Sequence, residues 1–257
     1  MKHLSSNAEQ LLAVPGLIAF WDFREEAGAE RVSQGPCEYR LEERNGPIER
    51  ADDGVFGPYA ANLRFGQWFR IPRERCPALN LHGPRAQLTV AAWVKREAVA
   101  YDGCEAVAGF WDETRRKRQY CLFLNLKIWN SSQQVCGHVS SVGGPTPGYK
   151  YCMDASIGGT PVPFGEWRFV AFTYDGKAAR SYLDGRLDVR DAFNPYPYDG
   201  GIFDGGEDGA DFTVGAVDRS GEPGNFYTGL LGGLAVFDRA LSEDDLRRMA
   251  EATAQIR

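Results

Sequence analysis

Long apolar runs are missing from this 257-residue sequence. No segment approaches the roughly 20 apolar residues that carry a helix across a bilayer, so no membrane partner is expected. Positive charge is also scarce: 29 Lys and Arg stand against 35 Asp and Glu, giving a formal net charge of -6 and a pI near 5.2. Surfaces that bind nucleic acid are usually basic, which argues against that partner, although an anionic sugar can still meet a local cationic site. The opening stretch MKHLSSNAEQLLAVPGLIAFW lacks the continuous apolar core and small-residue cleavage site of an export signal, because Pro15 and Gly16 interrupt it. As written the chain reads as cytoplasmic; with a signal already removed it would read as secreted. Cys37, Cys76, Cys104, Cys121, Cys136 and Cys152 form no Cys-x-x-Cys pair and no zinc-ligand spacing. Free thiols are the expectation, with disulfides the alternative for an exported protein.

No long amphipathic helical pattern separates the short strands and turns, which excludes βαβ units and points to an all-β fold. A hydrophobic fraction of 43% with 12% aromatics is ample for a core. Residues 1–15 read as an N-terminal arm or short helix, and residues 16–257 as one domain. At the centre stands GEWRFVAFTYDGKAARSYLDGRLDV, residues 165–189, where alternating runs from Trp167 to Tyr174 and Ala178 to Leu183 are punctuated by Asp175-Gly176 and Asp184-Gly185. Asp-Gly between such runs predicts a type I′ hairpin turn, which needs positive φ at both central residues.

GLIAFWDF at 16–23, LTVAAWVKR at 88–96, Trp167 with FVAFTYDG, YLDG at 182–185, DFTVGAV at 211–217 and YTGLLGGLAVFDRALSEDDL at 227–246 follow in this order. This series resembles the laminin G-like jelly roll of the concanavalin A-like lectin and glucanase superfamily. The resemblance implies a two-sheet antiparallel β-sandwich with a short C-terminal helix. Such a fold often binds carbohydrate, sometimes with calcium, and in some relatives cleaves polysaccharide. The family often has an acidic pair where this chain has Gly232-Gly233, a departure that removes a metal or polar anchor. Ser242 with Asp245 reads as a capping box, and Leu241 with Leu246 as a hydrophobic staple, for a helix from Glu243 to about Ala252.

Period-two alternation sorts side chains to the two faces of a strand. In LTVAAWVKR, Leu88, Val90, Ala92 and Val94 form the core phase; Trp93 lies opposite, either buried under a loop or open to a sugar. In QYCLFLNLKIW the core phase is Tyr120, Leu122, Leu124, Leu126 and Ile128, which leaves Cys121, Phe123, Asn125, Lys127 and Trp129 outside. In QQVCGHVSS, Val135 and Val139 point inward and Cys136, His138 and Ser140 outward. In YKYCMDASI, Tyr151, Met153, Ala155 and Ile157 are assigned to the core, and Lys150, Cys152, Asp154 and Ser156 to the outside. As neighbouring antiparallel strands these would gather Asn125, Lys127, Trp129, His138, Ser140, Lys150 and Asp154 on one face. That mixture of hydrogen-bonding groups with an aromatic suits an oligosaccharide or polysaccharide. A one-residue slip would transfer a strand's whole set to the other side.

The segment NPYPYDGGIFDGGEDGAD, 194–211, adds Tyr196 and Tyr198 as groove-border residues. It also supplies Asp199, Asp204 and Asp208, with Glu207 and Asp211, as oxygen ligands for a calcium ion. No cofactor is required, and calcium is the option. The leading expectation is a lectin-like module holding an oligosaccharide on the concave sheet face. One alternative is a polysaccharide lyase with His138 as base, Asn125, Lys127 or Lys150 neutralising a uronate, and Tyr196, Tyr198 or Tyr227 as acid. A glycoside hydrolase using Asp112 with Glu113, or Asp154 with a loop acid, is the other enzymatic version. The third reading is a protein-interaction module.

Overall fold

The computed structural model describes residues 6–219 and 221–254. Two antiparallel sheets lie face to face. One runs Arg186–Leu187, Ala178–Leu183, Trp167–Tyr174, Leu88–Arg96, Gly229–Phe237, Ala60–Leu63 and Glu49–Ala51, with Leu17–Trp21 also paired to Gly229–Phe237 and Tyr196–Pro197 to Ala178–Leu183. The other runs Ala155–Pro161, Gln134–Val139, Tyr120–Leu124, Glu105–Phe110, Phe212–Val214, Trp68–Ile71, Arg40–Arg44 and Arg31–Val32. We call these the nine-stranded and the eight-stranded sheet.

Alternation produces three apolar layers. Between the sheets lie Leu88, Val90, Ala92 and Val94 from one side and Tyr120, Leu122, Leu124, Val135 and Val139 from the other. On the far side of the nine-stranded sheet, Trp93, Phe169 and Tyr182 are covered by Phe56 and by two helices, Ser6–Leu12 and Glu243–Ala254. Trp93 is thus structural, packed edge-on against Phe56 with ring centroids 4.7 Å apart. The glycine pair has its reason here as well: a Cβ on Gly232 would meet Val55 and Trp167, and one on Gly233 would meet Phe56 and Trp93 at 2.7 Å. The third layer, Trp111, Cys121, Phe123, Cys136, Ala155 and Ile157, covers the outer face of the eight-stranded sheet from Glu105–Phe110 to Ala155–Pro161.

The C-terminal helix is capped as its sequence requires. Asp245 N–H donates to Ser242 Oγ at 3.2 Å, and Ser242 N–H reaches back to Asp245 Oδ2 at 3.3 Å. Of the two Asp-Gly turns, Asp184-Gly185 has φ of 51° and 77° and joins the pair Leu183 and Arg186, the type I′ geometry expected. The other is shifted by one residue: Gly176 and Lys177 occupy its centre and only Gly176 has positive φ, the sign pattern of type II′. Asp175 instead caps the turn by accepting Lys177 N–H and Ala178 N–H.

Candidate functional site

Three strands that neighbour one another, Ala155–Pro161, Gln134–Val139 and Tyr120–Leu124, form one side of the outer face. His138 stands opposite Cys121 on one flank and Ala155 on the other. The expected phases hold for Tyr120–Leu124 and Gln134–Val139, but two corrections follow beyond them. The strand from Tyr120 ends at Leu124, because Asn125, Lys127 and Trp129 adopt φ of 54°, 60° and 54°. Leu126 and Ile128 therefore pack in the outer layer and not in the core. The segment Lys150–Asp154 is loop, and in the strand that follows the expected phase is reversed: Ala155 and Ile157 face outward with His138 and Cys136, while Ser156 points inward to Ser181 Oγ at 2.8 Å. Tyr151, assigned to the core by alternation, is 54% exposed.

On this face a pocket of about 310 Å³ opens, its floor made of Trp111, His138 and Cys152. Arg118, Tyr151, Lys127, Glu113, Arg219 and Asn225 stand around it. The His138 ring lies 4.4 Å from that of Trp111 and 5.8 Å from that of Phe123. Its Nδ1 is 2.8 Å from the Asp154 carbonyl oxygen, so that nitrogen carries the proton and Nε2 keeps a lone pair. Burial, aided by the nearby Arg118 charge and opposed by the Asp154 hydrogen bond, lowers this imidazole to about 3. It is neutral at ordinary pH. Beyond it, Asn225 Nδ2 donates to Glu113 Oε1 at 3.2 Å, and Arg219 Nη1 donates to Asn225 Oδ1 at 3.1 Å. Lys127 pairs with Asp102.

Of the residues anticipated from sequence, the pocket brings together His138 and Lys127. Asn125 is a buried staple, donating to the Gly103 carbonyl and accepting Gln133 N–H. Trp129 packs beside Tyr149 and Phe193, with its Nε1–H on the Met153 carbonyl. Ser140 is buried and accepts Gly143 N–H. Lys150 lies exposed, its Nζ 5.1 Å from the centre of the Tyr151 ring. Asp154 accepts hydroxyl protons from Thr146 and Tyr196, and Tyr198 donates to Ser141 Oγ. These last residues hold the loop behind His138. Burial and the Asp154 charge push the Tyr196 hydroxyl up, and burial pushes Tyr198 up to about 12.

Sequence reasoning missed Trp111, Arg118, Arg219 and Asn225 as pocket residues. A register shift between Ala106 and Ala108 changes the phase of the strand leading to Trp111. Asn225 and Arg219 arrive from a small hairpin, Val217–Arg219 with Glu222–Gly224, and carried no periodic signal at all.

For the enzymatic alternatives the geometry offers little. A base with a conjugate acid near 3 has weak driving force for taking a carbon-bound proton. Tyr227 is buried with its hydroxyl on the Leu230 carbonyl. Asp112 is held by Arg115 and Glu113 by Asn225. The calcium set is not assembled: among the described residues no three His, Cys, Asp or Glu side chains come together as metal ligands. Asp204 lies 3.6 Å from both Arg73 and His82, Asp199 is exposed, and Asp208 meets Arg115 through its carbonyl. All six cysteines are free thiols. Among the described residues no helix is long and apolar enough to cross a membrane.

The sequence profile of the concanavalin A-like lectin/glucanases superfamily matches residues 74–247. No curated protein matches the chain. Among solved structures it is similar to domain 4 of AbnA, an extracellular arabinanase from Geobacillus stearothermophilus in complex with arabinotriose, with 20% identity and a TM-score of 0.58 over 91% of this chain and 98% of that one. A mutant Trypanosoma rangeli sialidase displaying trans-sialidase activity is similar at 15% identity and a TM-score of 0.59, over 97% of this chain and 37% of that one. Botulinum neurotoxin type C, whose cell entry depends on interaction with two ganglioside molecules, gives 8% identity and a TM-score of 0.56, over 93% and 51%. At these identities the likeness is one of fold.

Proposed function

The chain belongs to the concanavalin A-like lectin/glucanases superfamily, and from that premise we propose that it is a carbohydrate-binding protein whose saccharide sits in the pocket over Trp111 and His138. One observation carries the reading. Over the four strands from Glu105–Phe110 to Ala155–Pro161, where apolar side chains otherwise pack the outer face, an opening of about 310 Å³ gathers an indole, a neutral imidazole, an amide, a carboxylate and cations. A pyranose needs that combination: an aromatic surface for its C–H face and mixed donors and acceptors for its hydroxyls. His138 Nε2 serves as an acceptor and Glu113 Oε2, outside the bond from Asn225, as a second, while Asn225 and Lys127 donate through the N–H groups that Glu113 and Asp102 leave over. The aromatic surface open to the sugar is the exposed Tyr151 ring, since Trp111 is only 1% exposed and supports the floor from below. That the similar arabinanase domain is complexed with arabinotriose supports the same ligand class.

Calorimetric titration of the purified protein with neutral and acidic oligosaccharides tests the proposal. Wild-type protein should bind at least one, and Tyr151→Ala should weaken that binding about 2- to 13-fold, in line with about 0.5–1.5 kcal/mol for an aromatic contact. Tyr151 is exposed, so the variant should melt with the wild type. Absence of binding across the panel, or binding indifferent to Tyr151→Ala and Glu113→Gln, would sink the reading and leave a protein-interaction module as its successor.

A further inference from the structure

Arg118 is 6% exposed, yet among the described residues no carboxylate comes within ion-pair distance of it. A largely buried guanidinium ordinarily has an anionic partner, since an unpaired charge kept from water is costly; here the unpaired edge stays open to the pocket instead. Here one nitrogen, Nη1, is spoken for by the Gly143 carbonyl at 3.3 Å, and the side chain lies 5.9 Å from the Trp111 ring centre. Nε and Nη2, which share the other edge of the guanidinium, make no hydrogen bond to the described protein. Two parallel N–H groups on one edge match the two oxygens of a carboxylate. The pocket that Arg118 lines is at the small end of the ligand range, about 300–1,000 Å³. Its volume suits one sugar ring. Its rim adds Arg219, whose one hydrogen-bond partner in the pocket is the neutral Asn225, while the two carboxylates around it are already engaged, Asp102 by Lys127 and Glu113 by Asn225.

We propose that the pocket selects an acidic sugar, a uronate or a sialate, whose carboxylate docks on the Nε and Nη2 edge of Arg118 above Trp111. The assignment rests on the saccharide reading and narrows it. Acidic overall charge does not oppose it, because a buried cation in a confined pocket acts at short range, where salt screens little.

Two matched pairs of probes test it by calorimetry: trigalacturonate against its methyl ester, and sialyllactose against lactose. The acidic member of at least one pair should bind about 10- to 150-fold more tightly, the span of a charge-assisted hydrogen bond worth about 1.5–3 kcal/mol. Arg118→Gln should collapse that gap. Arg118→Lys keeps the charge without the two-pronged edge and should narrow the gap; it also guards against a Gln variant that fails to fold, which circular dichroism would reveal. Equal binding within both pairs, or a gap that survives in a folded Arg118 variant, overturns the carboxylate assignment while leaving the saccharide reading intact. A sulfated trisaccharide bound as tightly as the uronate would also overturn it. No binding by any of the four probes or the neutral panel would remove both readings together.

Discussion

His138 shows how burial decides a residue's chemistry. Its imidazole is enclosed by Trp111 and Phe123 and anchored through Nδ1, which makes the neutral form the stable one. The folded value of about 3 lies below the ordinary 6.5. Between those two values the unfolded chain binds a proton that the folded chain refuses, so stability rises with pH across the window and is lost as pH falls below about 6.5. Urea unfolding of wild type and His138→Gln from pH 7 to pH 4 should show an extra loss in the wild type, with a slope approaching about 1.4 kcal/mol per pH unit. Parallel pH profiles for the two proteins would show that the imidazole titrates freely. The same burial explains why four of the cysteines around or beneath this face resist ionisation: Cys104 and Cys152 are pushed up to about 11, Cys136 to about 12, and Cys121 well above its usual range. All four pack in or against the outer apolar layer.

At the scale of elements, the Asp184-Gly185 turn carries a double constraint. Gly185 has φ of 77°, and a Cβ there would lie 2.6 Å from Arg247 Cα in the C-terminal helix. Gly185→Ala should cost about 1–3 kcal/mol, from the left-handed backbone and the displaced helix together; chemical denaturation measures it, and a neutral substitution would contradict the close packing. Strand phases were legible in the sequence wherever strands are regular. Leu122, Leu124, Val135 and Val139 face the core as alternation predicts, because one buried face forces period two. Legibility ended at Asn125, where a left-handed backbone interrupts the strand without any glycine to announce it. It ended again before Ala155, where alternation carried forward from Tyr151 through the loop at 150–154 placed the following strand on the wrong face. The pocket itself was half visible. His138 comes from regular alternation, whereas Lys127 lies past the end of its strand, Trp111 follows a bulge and Arg219 and Asn225 depend on long-range closure.

The whole molecule is three apolar layers divided by two sheets, and neighbouring layers share their strands. Leu88–Arg96 contributes Val90 to the middle layer and Trp93 to the helix-covered one; Tyr120–Leu124 contributes Leu122 to the middle and Phe123 to the pocket side. No layer can lose its packing while the strand it shares remains ordered. Tryptophan fluorescence and far-ultraviolet circular dichroism should therefore report coincident thermal transitions; two separated midpoints would mean that the layers melt independently. The sequence resemblance anticipated this architecture because hairpin dipeptides and alternating runs recur in order along most of the chain.

The helices on one broad side have a consequence for how the molecule meets a surface. They cover the nine-stranded sheet, whereas the pocket opens from the eight-stranded one, so the sandwich is polar in the sense of a two-sided tile. Attached through its helical side, it would display the proposed saccharide pocket outward. Attached the other way round, it would be blind.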